Sequence, residues 1–456
     1  MKFAHDFKDT LASQGFPPHW VRQAIPYGQL KKCLKKVQRE LQDLGLDPDT
    51  LRALLDHNTT SPVALRYKLK PAADSNVVRP QLTVYVHMQD GIAVDASLTP
   101  TSRRFFEKIA AELSLNRPLA ETQAVNADAG WTPRDKMLDT SSPPSGETVA
   151  RLVDSRSSCE TIEVPLVFDS EFFDLLQSDV TNLDALQAEE EEKMTAEIVE
   201  LGKEVSLVSR PSRFSKSDLA RWRCIFELYL DAEVFFATHE RDHGARSSQR
   251  ALNQLQWFQS EVEKRHLARD FKLHESKAAF SRFLNLNMGL LKNLQFQELN
   301  KLAVVKILKK FDKRTCLGVS QTFPLAIRSE GVLSRDVAKG VCAHMSQELV
   351  SVVPQLNDYL CPVCFAVAYR PVRLNCQHVF CIRCIVKIQR RQENSCPLCR
   401  ADVVRNASAD NLDVQLEKYM KKYFPKEVKE KRRANEIERG IEDYGPGYTH
   451  QECLLM

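Results

Sequence analysis

Seven of the chain's thirteen cysteines lie within 39 residues, between Cys361 and Cys399. With one histidine they form an ordered set of eight ligand-type side chains: Cys361, Cys364, Cys376, His378, Cys381, Cys384, Cys396 and Cys399. A Cys-x2-Cys pair brings two thiolates to one ion from a single tight turn, and zinc takes four such ligands in a tetrahedron. Eight ligands therefore predict two closed zinc sites, which leave no position for a catalytic water. In so short a segment the metal is structural, because a core of this size folds poorly without it.

The rest of the sequence indicates a reducing environment, in which clustered cysteines bind metal rather than form disulfides. The first residues carry charges where a signal peptide needs an apolar run, and no stretch approaches the length of an apolar membrane span. The expected location is therefore cytoplasmic, with the nucleus and the periphery of membranes as alternatives.

Length and composition predict a mainly α-helical protein of several domains. The 456 residues exceed one ordinary domain, and a hydrophobic content of 43% excludes a wholly disordered chain. Apolar residues recur at helical spacing in these segments: 1–58, 169–208, 216–239, 246–270 and 272–314. We therefore expect a helical bundle over residues 1–325, interrupted by an insertion at about 59–165. Within the insertion, alternating residues around Asp90-Gly91 predict a β-hairpin.

The remainder of the chain divides into three further segments. They are a helical connector at 326–356, a small zinc-stapled α+β domain at 357–404, and a charged helix and tail at 405–456. We expect the last helix, at 411–439, to be exposed because charged residues dominate it. The predicted fold class is mainly α, with one small α+β domain.

Residues 300–314 predict a helix with two contrasting faces. The apolar positions, which we expect to be buried, are Val304, Ile307, Leu308 and Phe311. The basic positions on the opposite face are Lys306, Lys309, Lys310 and Lys313. Like charges at these spacings destabilise a helix by about 0.2–0.5 kcal/mol per pair, and only Asp312 is near enough to compensate. The basic face is therefore either an ordinary solvated surface or a site for several phosphate oxygens.

The net charge argues against a coat of polyanion around the whole protein. At +4 the formal charge is nearly balanced, so any anion site must be local. Aromatic residues are not interleaved with the lysines of residues 300–314. Both observations disfavour a nucleic-acid binder.

The order of the zinc ligands, three cysteines, one histidine and four cysteines, resembles the RING finger of ubiquitin ligases. The resemblance implies interleaved pairing, with Cys361, Cys364, Cys381 and Cys384 on one ion. The other ion would be held by Cys376, His378, Cys396 and Cys399. It also implies an activity: binding a ubiquitin-conjugating enzyme charged with ubiquitin and promoting transfer to a substrate lysine, without a covalent intermediate on the ligase.

The RING resemblance assigns roles to four further residues. Val363, Ile388 and Pro397 match the family's docking positions for the conjugating enzyme. Arg400 matches the arginine that clamps ubiquitin against that enzyme, a task suited to the planar donors of a guanidinium. Many members have tryptophan where this chain has Ile388, which implies less contact area. The alternative is therefore a non-catalytic adaptor or scaffold with a structural zinc finger.

The amino-terminal part resembles an SPX domain. The resemblance rests on Met1-Lys2-Phe3, on Trp20, and on the stretch from Ile25 to Lys32, and it extends to the lysine pattern described above. It implies a phosphate sensor that binds inositol pyrophosphate through these residues: Tyr27, Lys31, Lys306, Lys309, Lys310 and Lys313. A chain with both resemblances is similar to the SPX–RING ubiquitin ligases of fungi and plants, which implies a substrate such as a phosphate transporter.

The last four residues, from Cys453 to Met456, fit a prenylation box that favours a farnesyl group. A prenyl group on Cys453 would bring the protein to membranes. An unmodified tail is the alternative, since a four-residue motif is weak.

Overall fold

The computed structural model describes most of the chain outside the predicted insertion. The described residues are 2–55, 63–71, 78–89, 92–93, 158–164, 166–211, 217–237, 244–326, 337–446 and 448. The chain divides into two compact units, of which the first comprises residues 1–186 and 297–335 and the second comprises residues 187–296 and 336–456. Both units contain parts of the predicted SPX segment, because two long helices contribute residues to each. These are α5 (Phe168–Val208) and α8 (His274–Thr315).

The first unit begins with four short helices. They are α1 (Lys2–Ser13), α2 (Pro18–Gln23), α3 (Tyr27–Asp43) and α4 (Pro48–Leu55). The apolar stripe of α3 is buried, with Leu30, Leu34 and Val37 all 0% exposed. The apolar face of α8 is buried as predicted, and its Phe311 ring lies 5.0 Å from the ring of Phe172 on α5. A short helix, α9 (Val319–Ala326), completes this unit.

The described part of the insertion is a β-sheet. Its strands are β1 (Val63–Pro71), β2 (Val78–Gln89), β3 (Ile92–Ala93) and β4 (Ser158–Val164). Strand β2 pairs antiparallel with the other three, and the register Gln89↔Ile92 agrees with the predicted hairpin, although its Asp90-Gly91 tip lies outside the described residues. Residues 94–157 of the insertion lie outside them as well.

A hydrogen bond to the buried carboxylate of Asp169 ties the sheet to the helices of the first unit. The hydroxyl of Tyr67 on β1 donates to the carboxylate of Asp169 on α5 at 3.0 Å. Burial raises the pKa of Asp169 to about 7. The inserted sheet is therefore packed against the bundle through a polar contact from which water is largely excluded.

The second unit contains a helical bundle around one apolar core. Its helices include α6 (Leu219–Ala232), α7 (Ser248–Lys264) and α10 (Val337–His344), and a two-stranded ribbon joins β5 (Phe236–Ala237) to β6 (Gly244–Ala245). The chain continues from α10 into a turn of π-helix at Met345–Val350. Gly202 on α5 lies against the carbonyl of Glu348 in that turn, where a methyl group would overlap the oxygen. The predicted connector is thus a packed element of the core: Val341, Met345 and Leu349 are almost fully buried.

The predicted zinc domain lies in the same unit. After a 3-10 turn at Leu356–Tyr359 it contains β7 (Pro371–Arg373), paired antiparallel with β8 (Val379–Cys381), and helix α11 (Ile382–Arg390). A small second core surrounds Phe380, which is 0% exposed. The mainly α fold with a small zinc-stapled region is confirmed.

The carboxyl-terminal segment differs from the prediction in two respects. The single helix expected at 411–439 is two helices, α12 (Val414–Tyr423) and α13 (Pro425–Tyr444). The break falls at Phe424, because a residue before proline is disfavoured in the helical region. These helices are also not free in solvent, since Met420, Phe424 and Val428 are buried in the core of the zinc domain. These helices carry a narrow apolar stripe, which is hard to recognise in a sequence where charged residues dominate.

Among the described residues, no helix combines the length and the apolar character needed to cross a bilayer.

Candidate metal centres and anion-binding surface

The first metal centre is formed by two Cys-x2-Cys pairs that are distant in sequence. The ligand atoms of Cys361, Cys364, Cys381 and Cys384 all lie within 4.8 Å of one another. The sulfur of Cys381 lies 3.8 Å from that of Cys364 and 3.1 Å from that of Cys384. Zinc–sulfur bonds of about 2.3 Å place the sulfurs of a tetrahedron roughly 3.8 Å apart, so this group fits one ion.

The second centre is formed by Cys376, His378, Cys396 and Cys399, whose ligand atoms also lie within 4.8 Å of one another. The Nδ1 atom of His378 faces the sulfur of Cys376 at 3.4 Å and that of Cys396 at 3.7 Å. Nδ1 is therefore the ring nitrogen placed to bind metal. The two groups have the interleaved composition that the RING resemblance implies.

The chemistry of the donors supports a cation in each group. The neighbouring sulfurs of Cys361 and Cys381 raise the pKa of Cys384. A divalent ion among them would let all four thiols ionise together, as thiolate ligands must. Both clusters are consistent with zinc, and four protein ligands close each site, which makes the metal structural.

Two of the metal-binding turns have the same backbone conformation. One is Cys361-x2-Cys364 of the first ligand set, and the other is Cys396-x2-Cys399 of the second. In the first turn, the amide of Phe365 donates to the carbonyl of Cys361 at 2.8 Å, and in the second the amide of Arg400 donates to the carbonyl of Cys396 at 2.8 Å. Phe365 and Arg400 both adopt left-handed conformations, with φ of 54° and 62°. We call these the first and second zinc turns. Each turn fixes the direction in which the residue after its last cysteine leaves the domain.

The predicted anion-binding residues lie on α3 and α8 of the first unit. On α8, Lys306, Lys309 and Lys313 are exposed, and Lys310 is partly buried. Burial lowers the pKa of Lys310, and the nearby charges of Lys31, Arg314 and Lys313 lower it further. The structure therefore brings Lys31 of α3 close to the lysines of α8, as one surface.

Asp312, the acidic residue nearest these lysines in sequence, forms hydrogen bonds with the backbone and not ion pairs with them. Its two carboxylate oxygens accept hydrogen bonds from the amides of Val319 and Ser320, at 2.6 and 2.8 Å. It therefore caps the start of α9 rather than neutralising the basic face. Among the described residues, Lys306, Lys309, Lys310 and Lys313 form no ion pair, so the surface keeps its positive charge.

Arg314 belongs to this surface, although it is not among the residues predicted from the sequence. Its Nη1 atom is buried and has no hydrogen-bond partner among the described residues. A buried guanidinium nitrogen without an acceptor indicates a position for an anionic oxygen. The signal was present, since Arg314 follows Lys310 by four residues and so extends the basic face by one turn.

Tyr27 lies beside Arg314 at the start of α3. Its ring packs edge-on against Phe3, with 5.0 Å between the ring centres, and only 6% of the residue is exposed. Burial raises the pKa of its hydroxyl, while the charge of Arg314 acts in the opposite direction. The buried side-chain oxygen of Asn300 on α8 accepts a hydrogen bond from the amide of Ile25 at 2.9 Å. This contact, which the sequence did not reveal, holds the turn before Tyr27 against α8.

Two family models match the chain. The model of the SPX domain matches residues 1–327, and that of the C3HC4-type RING zinc finger matches residues 361–399. The chain is an SPX-domain RING finger protein. An uncharacterised RING finger protein of Schizosaccharomyces pombe is 35% identical over 452 residues, which cover 96% of each chain. The transcriptional regulator of yeast form adherence 3 of Candida albicans is 33% identical over 499 residues and 100% of both chains.

The RING finger of this SPX–RING protein has its own relatives. The human E3 ubiquitin-protein ligase RNF138 is 42% identical over 69 residues, which are 15% of this chain and 28% of that one. The bovine E3 ubiquitin-protein ligase RNF168 is 27% identical over 99 residues, which are 21% of this chain and 17% of that one. Each of these two likenesses covers only a minor part of either chain.

The predicted docking residues of the RING finger differ in exposure. Val363 is 39% exposed, and Pro397 and Arg400 are exposed. Ile388 is only 7% exposed and packs in the small core. Two apolar residues outside the predicted set are more exposed: Phe365 at 78% and Leu398 at 54%. Phe365 lies two residues after Val363, and Leu398 lies directly after Pro397. The zinc turns therefore present more apolar surface than the family pattern alone identifies.

One side of α11 is covered by α13. Glu438 of α13 forms an ion pair with Arg383 at 2.6 Å and another with Lys387. Glu442, one turn further along α13, pairs with Arg383 and Arg390. In addition, Lys431 lies close enough to Cys364 for that sulfur to affect its pKa. Helix α13 therefore supports the first zinc turn and α11, and it is an integral part of the RING region.

Proposed function

We propose that this SPX–RING protein is a RING-type ubiquitin ligase. In this proposal the RING finger binds a ubiquitin-conjugating enzyme charged with ubiquitin, and the ubiquitin passes directly to a lysine of the substrate. The closed zinc centres hold the two zinc turns in place and take no part in the chemistry. The single observation that supports the proposal most is Arg400, which is exposed, left-handed and without an ion pair among the described residues at the end of the second turn.

In this mechanism the exposed residues have separate tasks. Val363 and Pro397, with Phe365 and Leu398 beside them, supply apolar contact for the conjugating enzyme. Arg400 donates hydrogen bonds to the enzyme and to ubiquitin at once, which holds the thioester in one orientation for attack by the lysine. Ile388 supports this surface from the core and contributes little contact area of its own.

We further propose that the basic surface of the first unit binds inositol pyrophosphate and regulates the ligase. Lys31, Lys310 and Arg314 are close together, and among the described residues Lys306, Lys309, Lys310 and Lys313 form no ion pair. Several phosphates on one ring would satisfy these charges together. Tyr27 would add a hydrogen-bond donor, because burial keeps its hydroxyl protonated. The experiment below measures whether inositol pyrophosphate raises or lowers the rate of ubiquitin transfer.

Reconstituted ubiquitination tests both proposals. The zinc-loaded full chain is incubated with a panel of ubiquitin-conjugating enzymes, with and without inositol pyrophosphate. We expect chain formation with at least one enzyme, and a strong reduction in Arg400→Ala at unchanged zinc content. We expect the response to inositol pyrophosphate to disappear in Lys310→Ala while basal activity remains. Full activity of Arg400→Ala would contradict its role as a clamp.

The alternative is an adaptor whose RING finger serves only as a zinc-stabilised binding surface. The burial of Ile388 favours it, because a family docking position then offers little surface. Absence of transfer with every conjugating enzyme, together with intact binding of inositol pyrophosphate, would support the adaptor. The predicted phosphate-transporter substrate remains a prediction, as does the prenyl group on Cys453, which lies outside the described residues.

A further inference from the structure

A basic cleft opens between α6 and the junction of α12 with α13, all within the second unit. It encloses about 880 Å³. The residues that matter for its chemistry are Leu219, Arg223, Lys418, Lys422, Tyr423 and Lys426. None of them belongs to the predicted inositol pyrophosphate site, whose residues are all in the first unit, or to the zinc centres. We call this space the carboxyl-terminal cleft.

The walls of the cleft are joined by Arg223 of α6. Its Nε atom donates to the carbonyl of Pro354 at 2.9 Å, and its Nη2 atom donates to the carbonyl of Tyr423 at 3.0 Å. The guanidinium also lies 4.2 Å from the ring centre of Phe424. A partly buried arginine with two backbone acceptors and an aromatic contact fixes the α12–α13 junction against α6. The cleft is therefore a defined feature and not a gap between loosely packed helices.

The rim of the cleft carries an unbalanced positive charge. Lys418, Lys421, Lys422 and Lys426 are all exposed. Lys421 forms an ion pair with Glu417 at 2.8 Å, whereas Lys418, Lys422 and Lys426 form none within the described part of the chain. Glu427 is the acidic residue among those that line the space. Such a cluster of like charges is unfavourable in the isolated protein and becomes favourable when an anionic ligand binds.

The lining also has apolar parts, which restrict the kind of anion. Leu219, Ala220 and Pro425 line the cleft together with the ring of Tyr423. A bare polyphosphate would leave this apolar surface in contact with water, and so would the phosphate backbone of a nucleic acid. The lysines extend over nine residues of mostly helical chain, from Lys418 to Lys426, a distance of at most about 12 Å. An extended peptide covers that distance with roughly four residues. Acidic side chains would meet the lysines, and an apolar side chain would meet the floor.

We propose that the carboxyl-terminal cleft recruits substrates by binding an extended acidic segment that contains apolar residues. That the bound protein is a substrate rests on the proposed ligase activity, whereas the binding of an acidic segment does not. Since α12 and α13 pack into the core of the RING region, a segment held here is bound to the same small domain that carries the proposed ubiquitin-transfer surface. The RING finger itself contains no other assigned position for a substrate.

Binding is tested with the zinc-loaded full chain and a fluorescent peptide of about twelve residues built from aspartate, glutamate and leucine. We expect a saturable change in anisotropy. The triple variant Lys418→Glu, Lys422→Glu, Lys426→Glu should weaken it at least ten-fold. A matched control reverses three exposed lysines outside the cleft, Lys272→Glu, Lys277→Glu and Lys429→Glu, and should change it by less than about two-fold. Equal losses in both variants would reduce the effect to net charge and overturn the proposal.

Two further probes define the ligand class. A peptide with asparagine and glutamine in place of the acids should bind at least ten-fold more weakly, and so should one with serine in place of leucine. Inositol hexakisphosphate and duplex DNA should not displace the acidic peptide from a variant whose first-unit surface is removed by Lys306→Ala, Lys310→Ala and Lys313→Ala. Displacement by either of them at a lower concentration than that of the unlabelled peptide would overturn the peptide assignment.

The functional test separates this proposal from the proposed ligase activity. Two rates are measured in parallel. The first is the ubiquitination of a model substrate that carries the acidic segment, and the second is the discharge of ubiquitin onto free lysine, which needs no substrate site. The triple variant should lose substrate ubiquitination at least ten-fold and keep its discharge rate. Loss of both would assign the lysines to transfer rather than recruitment. If the wild-type chain lacks discharge but binds the peptide, the ligase proposal fails and acidic-segment binding stands.

Discussion

The two zinc turns offer a comparison within one small domain. Both use Cys-x2-Cys, both close with the same pair of backbone hydrogen bonds, and both place the next residue in a left-handed conformation. They differ in their surroundings. The first cysteines, Cys361 and Cys396, are both buried, but the second cysteines differ, since Cys364 is partly buried with α13 alongside and Cys399 is exposed. The outgoing residue also differs, since Phe365 is apolar and Arg400 is charged.

This difference shows that binding metal and presenting a surface are separable properties of such a turn. The ligand spacing and the hydrogen bonds determine the backbone, and they are satisfied equally in both. What the turn presents depends on one side chain and on whether a neighbouring helix covers it. Both turns present an exposed apolar side chain, Phe365 in the first and Leu398 in the second, and the second turn also presents the charged Arg400.

The largest expected effect is on metal binding. Cys361→Ser removes a fully buried ligand, and structural zinc stabilises comparable small domains by about 10–16 kcal/mol. We expect loss of the first ion and unfolding of the RING region, read from zinc content and urea unfolding. Cys399→Ser, at the exposed position, should lose the second ion and leave more residual structure.

Identical unfolding of these two variants would show that the exposure of a zinc ligand does not decide how much it stabilises the domain. Treatment with a chelator provides the reference, because it removes both ions together. The helices of the first unit, which contain no zinc ligand, should keep their circular dichroism in all three cases.

The next effect concerns ubiquitin transfer. If Arg400 acts as a clamp, moving the arginine to the first turn should not replace it, because partner contacts depend on position as well as backbone. We expect the double variant Phe365→Arg, Arg400→Ala to discharge ubiquitin at least ten-fold more slowly than the wild type, or about 1.4 kcal/mol in barrier height. Phe365→Arg alone should retain a measurable rate, and zinc content should be unchanged. Recovery of transfer by the double variant would show that the turns are interchangeable.

The smallest effect concerns the helix that covers the first turn. Glu438→Ala removes ion pairs to Arg383 and Lys387, which are partly exposed, so we expect a loss of about 0.5–1 kcal/mol in urea unfolding. A matched control is Asp443→Ala, which removes the more exposed pair with Arg439 and should change stability less.

The same carboxylate predicts a dependence on pH. The ammonium group of Lys387 is the main reason that the pKa of Glu438 lies below its ordinary value of 4.5. Its contribution is therefore complete above about pH 4.5 and is lost as the pH falls through the lowered pKa. The stability difference between wild type and Glu438→Ala should shrink on acidification. A difference that stays constant down to pH 3 would assign the effect to packing.

How much the sequence predicted depended on whether a feature was local. The eight zinc ligands and the lysine face of α8 were found because ligand spacing and helical periodicity are written in neighbouring residues. The packing of α13, the role of Asn300 and the position of Arg223 were not found, because each depends on segments far apart in the chain. The burial of Ile388 is an intermediate case, in which the motif identified the position and tertiary packing decided its exposure.

The left-handed conformation of Arg400 has a consequence for the selection of more stable variants of this protein. A side chain in that region costs roughly 1 kcal/mol, which glycine would largely avoid. Selection for thermal stability alone would therefore favour Arg400→Gly, as it would Phe365→Gly. If the clamp operates, a screen for stability would enrich a variant without activity at the second turn. Stability and function are thus opposed at one residue, and a library scored only on expression would select against the ligase.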